Sequence, residues 1–179
     1  GMKELFYKGR GSYINHLKDP KLATIVVDTA TLLYNPVICD CYLQELQENA
    51  RDGKVRTQLT QIEYREPNNR MRGIIYNAKA SGKNLVMVHH SRDEYKSQTR
   101  MVNGQLLTES VQTGNKERAG FGTLGDSADI IVHTSWNKEV KKPYADVELC
   151  EVKFVEGMQF EEPSYEKLVQ AIMMGRGQV

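Results

Sequence analysis

Leu22-Ala23-Thr24-Ile25-Val26-Val27-Asp28 decides the fold: it is a short, almost unbroken apolar run, rich in β-branched residues, that stops on an acid. A strand covered on both faces reads this way, whereas a half-exposed strand alternates apolar and polar residues. A second run, Leu85-Val86-Met87-Val88, follows Ser81-Gly82-Lys83-Asn84 and ends in His89-His90. A third spans Ala128 to Thr134 and contains consecutive Ile130-Ile131-Val132. Between the first two, Cys39, Leu43, Leu46 and Ala50 recur at i, i+4, i+7 and i+11, and Met71, Ile74, Ile75 and Ala78 at i, i+3, i+4 and i+7. Both spacings lay a stripe along one side of a helix. Pro36 is placed to start or kink the first helix, Asn68 to cap the second and Gly82 to end it. Strand, helix, helix, strand predicts a parallel crossover, so three buried parallel strands in one sheet flanked by helices are expected.

Downstream the pattern changes. Residues Ser91 to Ser127 are polar, include Gly104, Gly114, Gly120, Gly122 and Gly125, and sustain no period, which predicts a long mobile loop over 91–127 with a small hairpin at Gln105-Leu106-Leu107. From Asp146 to Glu156 the apolar positions are Val147 and Leu149, then Cys150, Val152 and Phe154. The alternation slips phase near Leu149-Cys150, as in an edge-like antiparallel strand with a bulge. Ser164 then caps a helix carrying Tyr165, Leu168, Val169, Ile172 and Met173 at helical spacing, up to Gly175.

The 179 residues suit a single α/β domain, 1–179, and the 40% hydrophobic and 26% charged fractions are those of a folded chain. Lys plus Arg number 24 against 23 Asp plus Glu, a net charge of +1, so any surface for a polyanion has to be local. No apolar run approaches the roughly 18 residues of a membrane span. Met2-Lys3-Glu4 lacks a secretion signal, so a cytoplasmic protein with no membrane partner is expected, and Gly1 reads as a tag remnant. Cys39, Cys41 and Cys150 cannot all pair, and on a helix Cys39 and Cys41 would point about 200° apart, a poor arrangement for shared metal ligation. They read as reduced, small apolar side chains.

The chemistry-bearing residues collect at strand ends. Asp28, followed by Thr29, sits at the carboxyl end of the first strand, the rim of an open parallel sheet where ligands bind and where an acid can hold magnesium through water. An Asp in that place equally caps the following helix. His89-His90-Ser91-Arg92-Asp93 brings a polar cluster to the same end of the second strand. Neighbouring strand residues face opposite ways, so one histidine at most points into a given site; His90 is the candidate and His89 reads as structural.

The order Ala23 to Thr29, then Tyr64-Arg65-Glu66-Pro67-Asn68-Asn69-Arg70-Met71 on a helix, then Asn84 to Tyr95, resembles the latter part of phage-encoded RecA-like P-loop ATPases, over about Ala23 to Leu168. These are proteins of DNA recombination and DNA metabolism. The resemblance implies a RecA-like, mostly parallel sheet flanked by helices, lacking the P-loop strand, with an antiparallel strand near the C-terminus. It implies Asp28 at the Walker B position beside magnesium and ATP, with Thr29 next to it, and His90 at the polar sensor place that links nucleotide to DNA. It makes 91–127 the DNA-contacting segment, with Lys96, Arg100, Lys116 and Arg118 as phosphate contacts; a solvated loop surface is the other reading of these four. Glu151-Val152-Lys153-Phe154 resembles the strand from which a neighbouring subunit's lysine reaches the nucleotide, although Val155 stands where a second lysine is expected.

The chain departs from the family in the phosphate-binding loop G-x-x-x-x-G-K-[ST]. Gly9-Arg10-Gly11-Ser12 lacks the lysine, Gly53-Lys54 is followed by Val55, and Gly82-Lys83 precedes a strand instead of following one. The expectation is therefore an incomplete ATPase core that does not hydrolyse ATP alone, as from a truncated or split gene. Self-association, or association with a chain that supplies the loop, is expected with it. Two alternatives accompany it: a non-enzymatic module that binds single-stranded DNA or assembles with a full-length ATPase, and a magnesium-dependent nuclease using Asp28, Glu63, Asp93 and the histidines.

Overall fold

The computed structural model describes residues 1–50, 55–102 and 105–177; Gly53, Lys54 and Gly104 lie outside the described residues. The order of elements is α1 (Met2–Lys18), β1 (Thr24–Asp28), the single turn α2 (Ala30–Leu32) leading into a π-helix (Leu33–Cys39), then α3 (Asp40–Glu48) and α4 (Arg65–Ala80). There follow β2 (Asn84–Val88), β3 (Ser91–Val102), β4 (Gln105–Arg118), β5 (Ile130–Asn137), β6 (Lys142–Cys150), β7 (Gln159–Glu161) and α5 (Tyr165–Arg176). The chain is thus a mixed α/β protein with, among the described residues, three small sheets, one parallel and two antiparallel. It divides into two compact units, residues 1–122 and 123–179. No helix among the described residues is long and apolar enough to cross a membrane.

In the first unit the crossover is as expected: β1 and β2 pair in parallel from Thr24↔Asn84 to Asp28↔Val88. Coverage on both faces is not. Exposure alternates along both strands, with Ile25, Val27, Leu85 and Met87 half-buried and Val26, Val86 and Val88 exposed. An apolar run therefore overstates the burial, because β-branched residues suit a strand whether one face or two are covered. The helices build the core instead. Phe6 and Leu17 of α1, Tyr34 and Ile38 of the π-helix, Cys41 of α3 and Met71, Ile75 and Ala78 of α4 are buried, together with Phe121, whose ring lies 5.6 Å from that of Tyr34.

Arg70 crosses this helical layer. Its guanidinium donates to Glu45 at 2.6 Å and Glu66 at 3.0 Å and lies over the rings of Phe6 and Tyr42 at 5.2 and 5.5 Å. That pairing holds the Glu45 carboxyl below its ordinary range. Asn68, expected as a cap, is instead inside α4, where its side chain accepts a hydrogen bond from the Tyr34 hydroxyl. The helix starts one turn earlier and ends before Gly82, which has φ +64°.

Three expectations fail on the sheets. Residues 91–118 are not a loop but a long antiparallel hairpin, β3 against β4, with Val102↔Gln105 at its tip. The third apolar run joins no parallel sheet: β5 pairs antiparallel with β6, in a different sheet from β1 and β2. Finally, β6 is the central strand of β5-β6-β7 and not an edge. Its phase slip is a register shift in which Ile131 faces Leu149 and Val132 faces Val147, leaving Glu148 as the extra residue.

The second unit is this three-stranded sheet with α5. Val147, Cys150, Val155 and Ala171 form its buried centre, and Val152, Met158, Phe160, Leu168 and Ile172 pack around them. Ser164 caps α5 as expected, its side chain accepting from the backbone N–H of Lys167. All three cysteines are free and buried, and burial pushes the Cys39 and Cys41 thiols up to about 11 each, so neither is a ready thiolate.

Candidate nucleic-acid interface at the strand rim

Because β1 and β2 run parallel, their carboxyl ends share one rim. Asp28 is the last residue of β1, opposite Val88, and it is exposed. The alternation of exposure continues past the end of β2, with His89 half-buried and His90 exposed, so His90 falls on the same side as Asp28. The side chain of Thr29 accepts from the backbone N–H of Leu32 at 3.2 Å and is thereby engaged as the cap of α2.

The hairpin grows directly out of this rim. Beyond the last β3–β4 pair, Ser91↔Arg118, the Ala119 N–H donates to the His90 carbonyl at 2.8 Å. Thr31, a buried polar residue, ties both legs to α2: its hydroxyl accepts from the His90 N–H at 3.0 Å and donates to the Ala119 carbonyl at 3.1 Å. The His89 ring approaches the same carbonyl through Nδ1 at 3.2 Å. A carbonyl only accepts, so Nδ1 carries the proton and Nε2 is the ring's acceptor; Nε2 is buried without a partner among the described residues. Desolvation lowers the His89 pKa, and the charges of Arg118 and His90 act in the same direction against the Ala119 bond.

Further out, the hairpin splits at an irregularity between Asp93 and Tyr95. There the Glu94 carboxylate accepts from Thr113 Oγ1 at 2.6 Å and Asn115 Nδ2 at 3.2 Å, contacts that with Lys96 hold its pKa down. The arm beyond, 95–101 with 105–112, is exposed apart from a half-buried Glu109. Its faces differ. Tyr95, Ser97, Thr99 and Met101 with Leu106, Thr108, Ser110 and Gln112 make one uncharged face, joined by a 3.0 Å hydrogen bond between Thr99 and Thr108. The other face carries Lys96, Arg100 and Glu109.

The four basic candidates are therefore on one element, but three are balanced by carboxylates. Lys96 pairs with Glu94 at 3.2 Å, Arg100 with Glu109 at 3.0 Å and Lys116 with Asp93 at 2.5 Å. For Arg118, half-buried at the hairpin base, no ion pair is found among the described residues. Exposed pairs of this kind contribute about 0–1 kcal/mol, so a phosphate can displace the carboxylates, though it has to compete with them. Lys153 lies far along the chain from this rim and not on the expected strand: β6 ends at Cys150, and Lys153 is an exposed turn residue paired with Glu156 at 2.6 Å.

The rim is the place expected for magnesium and ATP. It offers one carboxylate and a hydroxyl already used as a cap. Among the described residues no group of three His, Cys, Asp or Glu side chains comes together as a metal site. Of the carboxylates of the nuclease alternative, Glu63 is engaged with Arg56 and Thr60, and Asp93 with Lys116. The residues that sequence reading passes over are Thr31, the carboxylates Glu94 and Glu109, and Glu117, which pairs with Arg92 at 2.8 Å. Thr31 is one more polar residue in an amphipathic stretch until the fold brings Ala119 to it. No protein-family model matches the chain, and neither a curated protein nor a solved structure matches it.

Proposed function

We propose that this chain is a RecA-like core without a phosphate-binding loop, acting as a nucleic-acid-binding module in phage-type DNA recombination or DNA metabolism and not hydrolysing ATP alone. The observation that supports the reading is the continuity of rim and hairpin: Asp28 and His90 share one edge of a parallel pair, and both legs of the hairpin are bonded to that edge through Thr31. Lys96, Arg100, Lys116 and Arg118 then contact phosphates of single-stranded DNA along one arm. Magnesium and ATP belong to this reading only when another chain, or another copy, supplies the loop, and Asp28 is the acid they would meet.

The test is fluorescence anisotropy with a labelled single-stranded oligonucleotide across a salt series. Binding is expected to weaken with salt, and Lys116→Ala with Arg118→Ala should weaken it and flatten the log–log salt slope by roughly 0.7 for each phosphate that is no longer neutralised. Magnesium-ATP is expected to leave the isotherm of the isolated chain unchanged. An unaltered affinity in the double variant would remove the hairpin from the interface.

A further inference from the structure

Among the described residues, His89 is the one histidine whose ring is committed to a bond it can make in a single tautomer. Nδ1–H donates to the Ala119 carbonyl, which also receives the Thr31 hydroxyl, while Nε2 is buried without a partner among the described residues. Ala119 in turn closes the hairpin base on His90. Three bonds at Ala119 therefore hold the β4 leg against the rim, beside the His90 N–H bond to Thr31 on the other leg. A proton added to Nε2 creates a donor with nothing to donate to and a charge in a desolvated place. The charges acting on the ring are Arg118 from β4 and His90 beside it, and both lower its pKa.

We propose that His89 with Thr31 and Ala119 is a latch that holds the hairpin base closed while the imidazole is neutral and releases it on protonation. The consequence for DNA rests on the function proposed above; the latch itself does not. The direction follows from linkage. The ordinary histidine value is 6.5 and that of His89 in the closed latch is lower. Above 6.5 neither the closed nor the open state holds the proton, and the latch has its full stability. As pH falls below 6.5 the open state takes up a proton that the closed state refuses, so closure weakens until the pH reaches the depressed value of the closed form. Thr31 contributes no titration and sets the geometry of the shared carbonyl.

Amide hydrogen exchange on the full chain between pH 7.5 and 5, corrected for intrinsic exchange rates, tests this. Protection at Ala119 and at the base pairs Ser91 and Arg118 is expected to be flat above 6.5 and to fall by up to about tenfold per pH unit below it, the limit for one proton. His89→Asn keeps a donor near the Nδ1 position without a titrating ring, and its protection should be independent of pH; His133→Asn, outside the hairpin base, should behave as the parent. Parallel loss of protection in the parent and in His89→Asn would overturn the latch. So would a long-range nitrogen–proton spectrum of the unmutated chain at pH 7.5 that shows the Nε2–H tautomer, a readout that does not depend on any variant folding. Oligonucleotide anisotropy over the same pH range separates the two proposals: protection that responds to pH in a chain that binds no DNA keeps the latch and removes the function, and the converse removes the latch alone.

Discussion

Two glycines respond in opposite senses to the same added methyl group. Gly175, on the buried side of α5, sits so close to the turn after β6 that a Cβ there would lie 2.7 Å from Val152 Cγ1 and 3.0 Å from Phe154 Cβ. The second of these is fixed to the backbone, so it moves only with the chain. Gly73, inside α4, would place a Cβ with nothing within 4 Å. Gly175→Ala is therefore expected to destabilise the chain by about 2 kcal/mol through overpacking, and Gly73→Ala to stabilise it by about 0.5–1 kcal/mol by reducing the freedom of the unfolded chain. Urea midpoints of the two variants against the parent check both signs; equal shifts would mean the close approach at Gly175 is absent. Neither role is legible in the sequence, where both glycines stand in helical runs. Ser164 and Gly82 are legible, because a cap and a helix end act through their immediate neighbours, whereas Gly175, Thr31 and Arg70 act on residues more than 20 positions away.

At the scale of elements, what the sequence makes readable is what buries a stripe. α4 buries Pro67, Met71, Ile75 and Ala78, and α5 buries Ala171 and Gly175 with Leu168 and Ile172 packed beside them, all at helical spacing, and both helices stand out in the chain. α1 buries only Phe6 and Leu17, far apart in the helix, and leaves no stripe to find. The hairpin escapes for a related reason: alternation marks a strand only when one face is covered, and the arm of β3–β4 is solvated on both. Its strand character resides in Thr99, Thr108, Val111 and Thr113, its cross-strand bond and its ion pairs. The same solvation predicts that the arm is dispensable for folding. Replacing residues 95–112 by an Asn-Gly turn removes Lys96 and Arg100 but, among the described residues, no side chain that is buried. The shortened chain should keep its far-ultraviolet dichroism and unfold within about 1 kcal/mol of the parent, as surface changes do, while oligonucleotide binding falls. Loss of the fold would show that the arm packs against the body in solution.

For the whole molecule, the apolar runs announce strands but not their partners, which is why β5 reads as a member of the sheet of β1 and β2 and lies in another. The consequence is two cores where one is expected. Cys39 and Cys41 are buried in the unit 1–122, Cys150 in the unit 123–179 beside Val147, Val155 and Ala171. A unit of roughly 60 residues buries a smaller share of its surface than a larger one and is correspondingly marginal, so the second core should open first. The buried thiols report this without any substitution. Pulsed maleimide labelling over a urea series, read peptide by peptide by mass spectrometry, should find Cys150 reactive at lower urea than Cys39 and Cys41, and the two transitions should separate further in Gly175→Ala. Three thiols that become reactive at one shared midpoint would instead make the chain a single cooperative unit, to which a two-state free energy applies. Unequal midpoints would mean that any single melting temperature for this protein averages two events, and that the rim and hairpin can stay folded after α5 has left its sheet.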